Sequence, residues 1–154
     1  MIFKNTEWDD DMVDRFDLNN LDKGSYCLGI LDSYKISLLN LSLQETKIMI
    51  SNDKVGYTRK HIGNYDSKEE YERLVQQAPE IIAFPDYLGL HPTKQSIEFI
   101  KDIDGKIMVL AVRIRNYGVL WVKTIFPITQ DKFNLYLQSG SLIAVDKSKC
   151  SGII

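Results

Sequence analysis

Residues 105–130 read GKIMVLAVRIRNYGVLWVKTIFPITQ, a largely apolar stretch without a single Asp or Glu. Its two β-rich runs, residues 107–115 and 119–126, are separated by Asn116, Tyr117 and Gly118, which favour a tight turn. Asp104-Gly105 just upstream is a stronger hairpin signal and ties on a third run, residues 97–103. Three consecutive strands joined by such short turns form an antiparallel meander. Every charge within the stretch is positive: Lys106, Arg113, Arg115 and Lys123. The 154-residue chain has a formal net charge of −2, so this is a local concentration of cations. Cations fixed on a rigid sheet suit a phosphate or a phosphodiester.

The period of two puts Met108, Leu110, Val112 and Ile114 on one face, and Val109, Ala111, Arg113 and Arg115 on the other. In the following run Trp121 and Lys123 share a face, opposite Leu120, Val122 and Thr124. A three-residue turn pairs Arg113 with Trp121 and sets Lys123 beside them. A turn one residue shorter or longer brings Thr124 to the arginine face instead. The sequence leaves both registers open. A solvated outer sheet face has the same composition as a site, so the pattern alone does not separate the two.

Upstream, residues 26–31 and 47–51 read as strands, and residues 33–43 as helix or strand. Ser51, Asn52 and Asp53 are good caps for a helix running to about Ile62, stopped by Gly63-Asn64. Ser67 with Glu70 makes a capping box for KEEYERLVQQA, and Pro79 opens a short helix, PEIIAF. Residues 86–96 are rich in turn formers and read as a loop, and Thr129 caps a last helix to about Leu137. Residues 142–145 read as an edge strand. The expected fold is α+β: helices first, packed on an antiparallel meander of four or slightly more strands. Residues 1–22 carry seven acidic against two basic residues, a net of −5. They read as a solvated acidic arm, with Met12, Phe16 and Leu18 as a weak amphipathic turn, ahead of a single domain at 23–154.

Several classes drop out. Cys27 and Cys150 lie far apart with no CxxC or Cys/His cluster, against a zinc site. No glycine-rich phosphate loop is present. Non-specific coating of nucleic acid needs a basic domain, which this is not. No apolar run reaches the roughly 20 residues of a membrane span, and residues 1–16 lack a signal-peptide core. A cytoplasmic protein, or one delivered into a target cell by a phage or a secretion system, is expected. His61, flanked by Arg59 and Lys60, titrates near neutrality and suits proton transfer. A surface histidine at a helix C-terminus has the same context. Glu98 reads as a second proton carrier or as a cross-strand partner of a cation, Tyr87 as a packing residue with a free hydroxyl, and His91 as a turn residue.

Taken together, Lys60-His61 at a helix end, Pro79-Glu80-Ile81-Ile82, Pro85-Asp86-Tyr87, Ile97-Glu98-Phe99-Ile100, Val109-Leu110-Ala111-Val112-Arg113 and Lys123-Thr124 before Phe126 form a pattern. It resembles the phage and polyvalent-protein nucleases of the barnase–EndoU–colicin E5/D–RelE group, in particular type 3. The likeness covers about half the chain and extends loosely to residues 29–51. It implies a barnase/RelE-like fold and a toxin that cleaves RNA without a metal or other cofactor, with RNA as substrate and an antitoxin or immunity protein as partner. On matching positions, His61 would be the acid/base, Arg113 and Lys123 would hold the phosphate, and Thr124 would hydrogen-bond a phosphate oxygen or the ribose. Arg115, Lys60, Tyr87, Trp121 and Glu98 would line the substrate. The family pattern often has Asn at His91, Arg at Lys123 and Tyr at Phe126, so this chain lacks a guanidinium fork and a hydroxyl there. A non-catalytic interaction module of the same fold, immunity-like or a phage accessory protein, is the alternative.

Overall fold

A computed structural model of the protein describes residues 13–91, 93 and 95–150. The chain order is β1 (Ser25–Leu31), α1 (Ser33–Leu38), β2 (Thr46–Ser51), α2 (Asn52–Tyr57), a 3-10 helix η1 (Thr58–Asn64), α3 (Lys68–Val75), α4 (Ala78–Ala83), β3 (Tyr87–Leu90), β4 (Ser96–Ile103), β5 (Lys106–Arg113), β6 (Leu120–Ile128), α5 (Gln130–Gln138) and β7 (Leu142–Ala144). Side-chain caps start the helices where the sequence put them. Ser51, Ser67 and Thr129 each accept from the backbone N–H three residues on, in Lys54, Glu70 and Lys132. The single helix expected over 52–62 is instead split into α2 and η1. Among the described residues no helix is long and apolar enough to cross a membrane.

The seven strands form one mixed sheet in the order β1-β2-β6-β5-β4-β3-β7. Asp104 and Gly105 adopt φ of 53° and 88°, the two positive values a tight hairpin turn requires, and fix β4 against β5 from Ser96–Arg113 to Ile103–Lys106. The meander is therefore as expected, but two other expectations are corrected. Strands, not helices, open the described fold, and the sheet is neither four-stranded nor purely antiparallel. β2 and β6 run parallel and pair through Ile48–Leu120 and Met49–Trp121. That join spans more than seventy residues of sequence, and no local pattern announces it. β3 falls inside the segment read as a loop. Its four residues are held by β4 on one side and β7 on the other, so neighbours rather than propensity make it a strand.

The inner sheet face carries the main core. Leu28, Ile48, Ile97, Phe99, Leu110 and Ile125 are fully buried there against Leu74 of α3 and Ile81 and Ile82 of α4. On the outer face Ile100, Ile107, Val109 and Ile128 are covered by Phe133 and Tyr136 of α5. α5 is short and covers only that part of the outer face. Of the acidic stretch, residues 1–12 lie outside the described residues. Residues 13–22 pack on the body: Phe16 and Leu18 are buried, the Asp14 N–H donates to the Cys27 carbonyl at 2.7 Å, and the Asp14 carboxylate accepts from the Cys27 N–H at 2.8 Å. Phe16 and Leu18 form no helical turn.

Gly89 in β3 has no room for a side chain. A Cβ there would stand 2.9 Å from Leu142 Cδ2 and 3.2 Å from the Ser141 carbonyl oxygen. Gly89→Ala is expected to push β7 off the sheet edge and cost about 1–3 kcal/mol, read as a thermal midpoint lower by about 3–10 °C. An unchanged midpoint would show that β7 yields freely.

Candidate active site

The outer face beyond α5 is built from the ends of β4, β5 and β6. Arg113 lies opposite Trp121 and Val112 opposite Val122, but Ala111 lies opposite Thr124. Lys123 is thus the extra residue of a β-bulge. The two registers left open by the sequence are combined: Arg113 meets Trp121, and the bulge also turns Thr124 to the arginine face, away from Val122. A bulge re-aims side chains without changing the turn, which is why turn length alone could not determine the register.

On the other side of β5, Glu98 faces Ala111 and Ser96 faces Arg113. Glu98, Ala111 and Thr124 form one row across three strands, about 10 Å from end to end at two strand spacings. The next row holds Ile100, Val109 and Phe126. Beyond Trp121, β6 has no pairing with β2, and η1 packs against it. This brings in His61: its ring lies on the Phe126 ring, centroids 5.6 Å apart and tilted by 34°. Phe126 is two residues from Thr124 on the same face, so the imidazole borders the surface that carries Thr124, Lys123 and Arg113. Arg113 and Lys123 are exposed, and Trp121 and Thr124 are partly covered.

Burial, and then the charge of Lys60, hold the His61 pKa below its ordinary 6.5. Burial pushes the Glu98 carboxyl up, against the opposing charges of His91, Lys132 and Lys123. His91, Lys132 and Lys123 therefore stand close enough to Glu98 for their charges to act on its carboxyl. Sequence reasoning missed Lys132, which the Thr129 cap sets in the first turn of α5, and treated His91 only as a turn residue. The His91 imidazole bonds the Thr93 hydroxyl at 3.1 Å. The Tyr136 hydroxyl belongs here too, its pKa raised by burial and by Glu98.

Of the other expected substrate contacts, Tyr87 is covered by α5, and Lys60 and Arg115 each stand by an aromatic ring. Tyr87 lies under α5, edge-on to Phe133 at 5.6 Å, in a hollow shared with Asp86 and Lys147. Lys60 Nζ stands 4.1 Å above the Tyr57 ring, and Arg115 lies past the end of β5, 5.3 Å from the Tyr117 ring. Both cysteines are free thiols.

NMR titration of the His61 ring is expected to give a midpoint below 6.5. Because the unfolded chain then binds more protons in that window, this residue makes stability rise with pH across it. A midpoint at or above 6.5 would mean that the ring is neither desolvated nor under the influence of Lys60.

The protein is thus an α+β domain whose mixed sheet is half-covered on one face, with cations on the uncovered part and an imidazole at its edge. The family model for phage-Barnase-EndoU-ColicinE5/D-RelE like nuclease 3 matches residues 29–134, more than half of the chain, and the protein belongs to this nuclease family. The match runs from β1 into α5 and takes in His61, Glu98, Arg113, Lys123 and Thr124. Comparison with curated proteins and with solved structures yields no match.

Proposed function

We propose that the protein is a metal-independent endoribonuclease that acts as a toxin, delivered or expressed against a cell and held in check by an antitoxin or immunity protein. The observation that carries this reading is the imidazole of His61 against Phe126, on the same sheet face as Arg113, Lys123 and Thr124. Neutral His61 takes the proton of a ribose 2′-hydroxyl, and that oxygen attacks the adjacent phosphorus. Arg113 and Lys123 stabilise the added negative charge on the phosphoryl oxygens, and the Thr124 hydroxyl donates to one of them. The bond from phosphorus to the 5′-oxygen breaks, and the departing oxygen takes a proton from water. The products are a 2′,3′-cyclic phosphate and a 5′-hydroxyl. DNA lacks the attacking group.

Incubation with tRNA, rRNA and mRNA pools in excess EDTA is expected to give fragments with cyclic-phosphate ends, at a rate that rises with pH through the His61 midpoint and then levels. No cleavage of any pool, or equal cutting of DNA, would overturn the proposal. The departures at Lys123 and Phe126 favour a second reading, a non-catalytic interaction module of this fold. Expression in a bacterium separates the two: the enzyme arrests growth and His61→Ala relieves it, whereas the module is harmless.

A further inference from the structure

Past the cationic face, the chain segments 42–47 and 115–119 enclose a groove of about 670 Å³. That volume lies within the roughly 300–1,000 Å³ of sites that hold small organic groups. The two segments are tied together by the Thr46 hydroxyl, which donates to the Gly118 carbonyl at 3.0 Å, so the groove is preformed. Tyr117 on its rim is 75% exposed, the most exposed of the large hydrophobic side chains among the described residues. The Arg115 guanidinium stands over one face of that ring, 5.3 Å from its centre, and so holds a cation against the aromatic surface.

The charge of the groove favours an anion. Lys47 and Arg115 outweigh Glu45 in its lining, and the Glu45 carboxylate accepts from the Ser33 N–H at 2.8 Å. The groove lies at the end of β5 and β6 nearest Arg113. Arg115 is two residues beyond Arg113, and Val119 is two residues before Trp121, the partner of Arg113. From Val119 to Thr124 along β6 is about 15 Å, so a ligand lying in both places must be an extended chain. An exposed ring for stacking, cations for a backbone and an open polar trough are the features with which proteins hold unpaired nucleotides. A paired duplex offers no free base face to the ring.

We propose that this groove is a base-stacking subsite for single-stranded RNA, with the Tyr117 ring as platform and Arg115 and Lys47 as phosphate contacts. The proposal rests on the ribonuclease reading for the position of the scissile bond. It gives the enzyme a preference for unpaired substrates long enough to span from His61 to Tyr117.

The test uses the full chain and a fluorescent 2′-O-methyl decanucleotide, which cannot be cleaved because its 2′-oxygen is blocked. Loss of one stacked base is expected to raise Kd for Tyr117→Ala by roughly 5- to 150-fold, whereas Tyr117→Trp binds at least as well as the native protein. Arg115→Ala is expected to lower the salt slope of log K by about 0.7. With cleavable substrates, Tyr117→Ala is expected to lose kcat/KM on a decanucleotide and to match the native enzyme on a dinucleotide. Because Tyr117 is exposed, its variants are expected to melt like the native protein, and thermal melting checks this. Tyr117-dependent binding of the oligonucleotide without cleavage of any RNA would keep the subsite and remove the ribonuclease. RNA cleavage with Tyr117→Ala unchanged on short and long substrates would keep the ribonuclease and remove the subsite. Absence of oligonucleotide binding, or tighter binding of a duplex of equal length, would also overturn the subsite.

Discussion

His61→Ala is expected to slow RNA cleavage by about 10²- to 10⁴-fold, the range by which a positioned acid–base group contributes, while leaving the protein folded. The ring is partly exposed and packs on Phe126, so its removal costs only the about 0.5–1.5 kcal/mol of one aromatic contact. Rate and stability should therefore separate: single-turnover cleavage collapses while the thermal midpoint moves by a few degrees. Removal of one charge-stabilising donor, in Arg113→Ala, is expected to cost about 10²- to 10³-fold. Because Arg113 is exposed at the end of β5, this variant too should melt like the native protein. If both groups serve one transition state, the double variant will lose less than the product of the single losses. A His61→Ala protein that cleaves within threefold of the native rate would end the assignment of the imidazole, whatever becomes of the nuclease.

Asp32→Ala is expected to be the most damaging single change among the described ion pairs. Lys35 is 1% exposed, and its ammonium meets the Asp32 carboxylate at 2.8 Å. The other carboxylate oxygen accepts from the Lys35 N–H at 3.0 Å and so caps α1. Alanine removes the cap and strands a buried cation, and breaking such a pair costs about 3–5 kcal/mol. That is a large share of the 5–15 kcal/mol by which a domain is ordinarily stable. The pair of exposed Lys68 with half-buried Glu72, 3.9 Å apart on α3, should by contrast be worth under about 1 kcal/mol. Denaturant unfolding of Asp32→Ala and of Asp32→Ala with Lys35→Met measures both contributions. The second change should recover most of the loss, since it removes the stranded charge. A single variant that costs less than about 1 kcal/mol would mean that the Lys35 ammonium reaches water once its partner is gone.

What the sequence made legible follows range of interaction. The Asp104-Gly105 turn and the caps at Ser51, Ser67 and Thr129 depend on neighbours a few residues away, and all stand where expected. The pairing of β2 with β6, the strand character of residues 87–90 and the burial of Phe16 and Leu18 depend on partners far along the chain, and these were missed. For the site, Arg113 and Trp121 could be matched through turn length, but the bulge at Lys123 depends on packing along β5 and β6. The approach of His61 to Phe126 joins residues 65 apart in the sequence. The sequence did not anticipate it, and only family likeness assigned His61 to the site, because nothing local in Arg59-Lys60-His61 separates a base from a surface histidine. Lys132 and His91 were overlooked for the same reason: their common neighbour, Glu98, is on another strand.

Among the described residues, β2 and β6 pair through two residue pairs, and the chain crosses this seam once, through η1 and α3. The proposed base lies on the crossing itself, in η1, where it packs on Phe126 of β6, and the proposed phosphate clamp lies on β5 and β6 beyond the seam. Cutting the backbone in the exposed stretch around Asp66 would therefore yield two pieces, neither of them competent alone. Complementation of two separately expressed halves would then report on closure of the seam, and a molecule that pried it apart would silence the enzyme without touching either set of reacting groups.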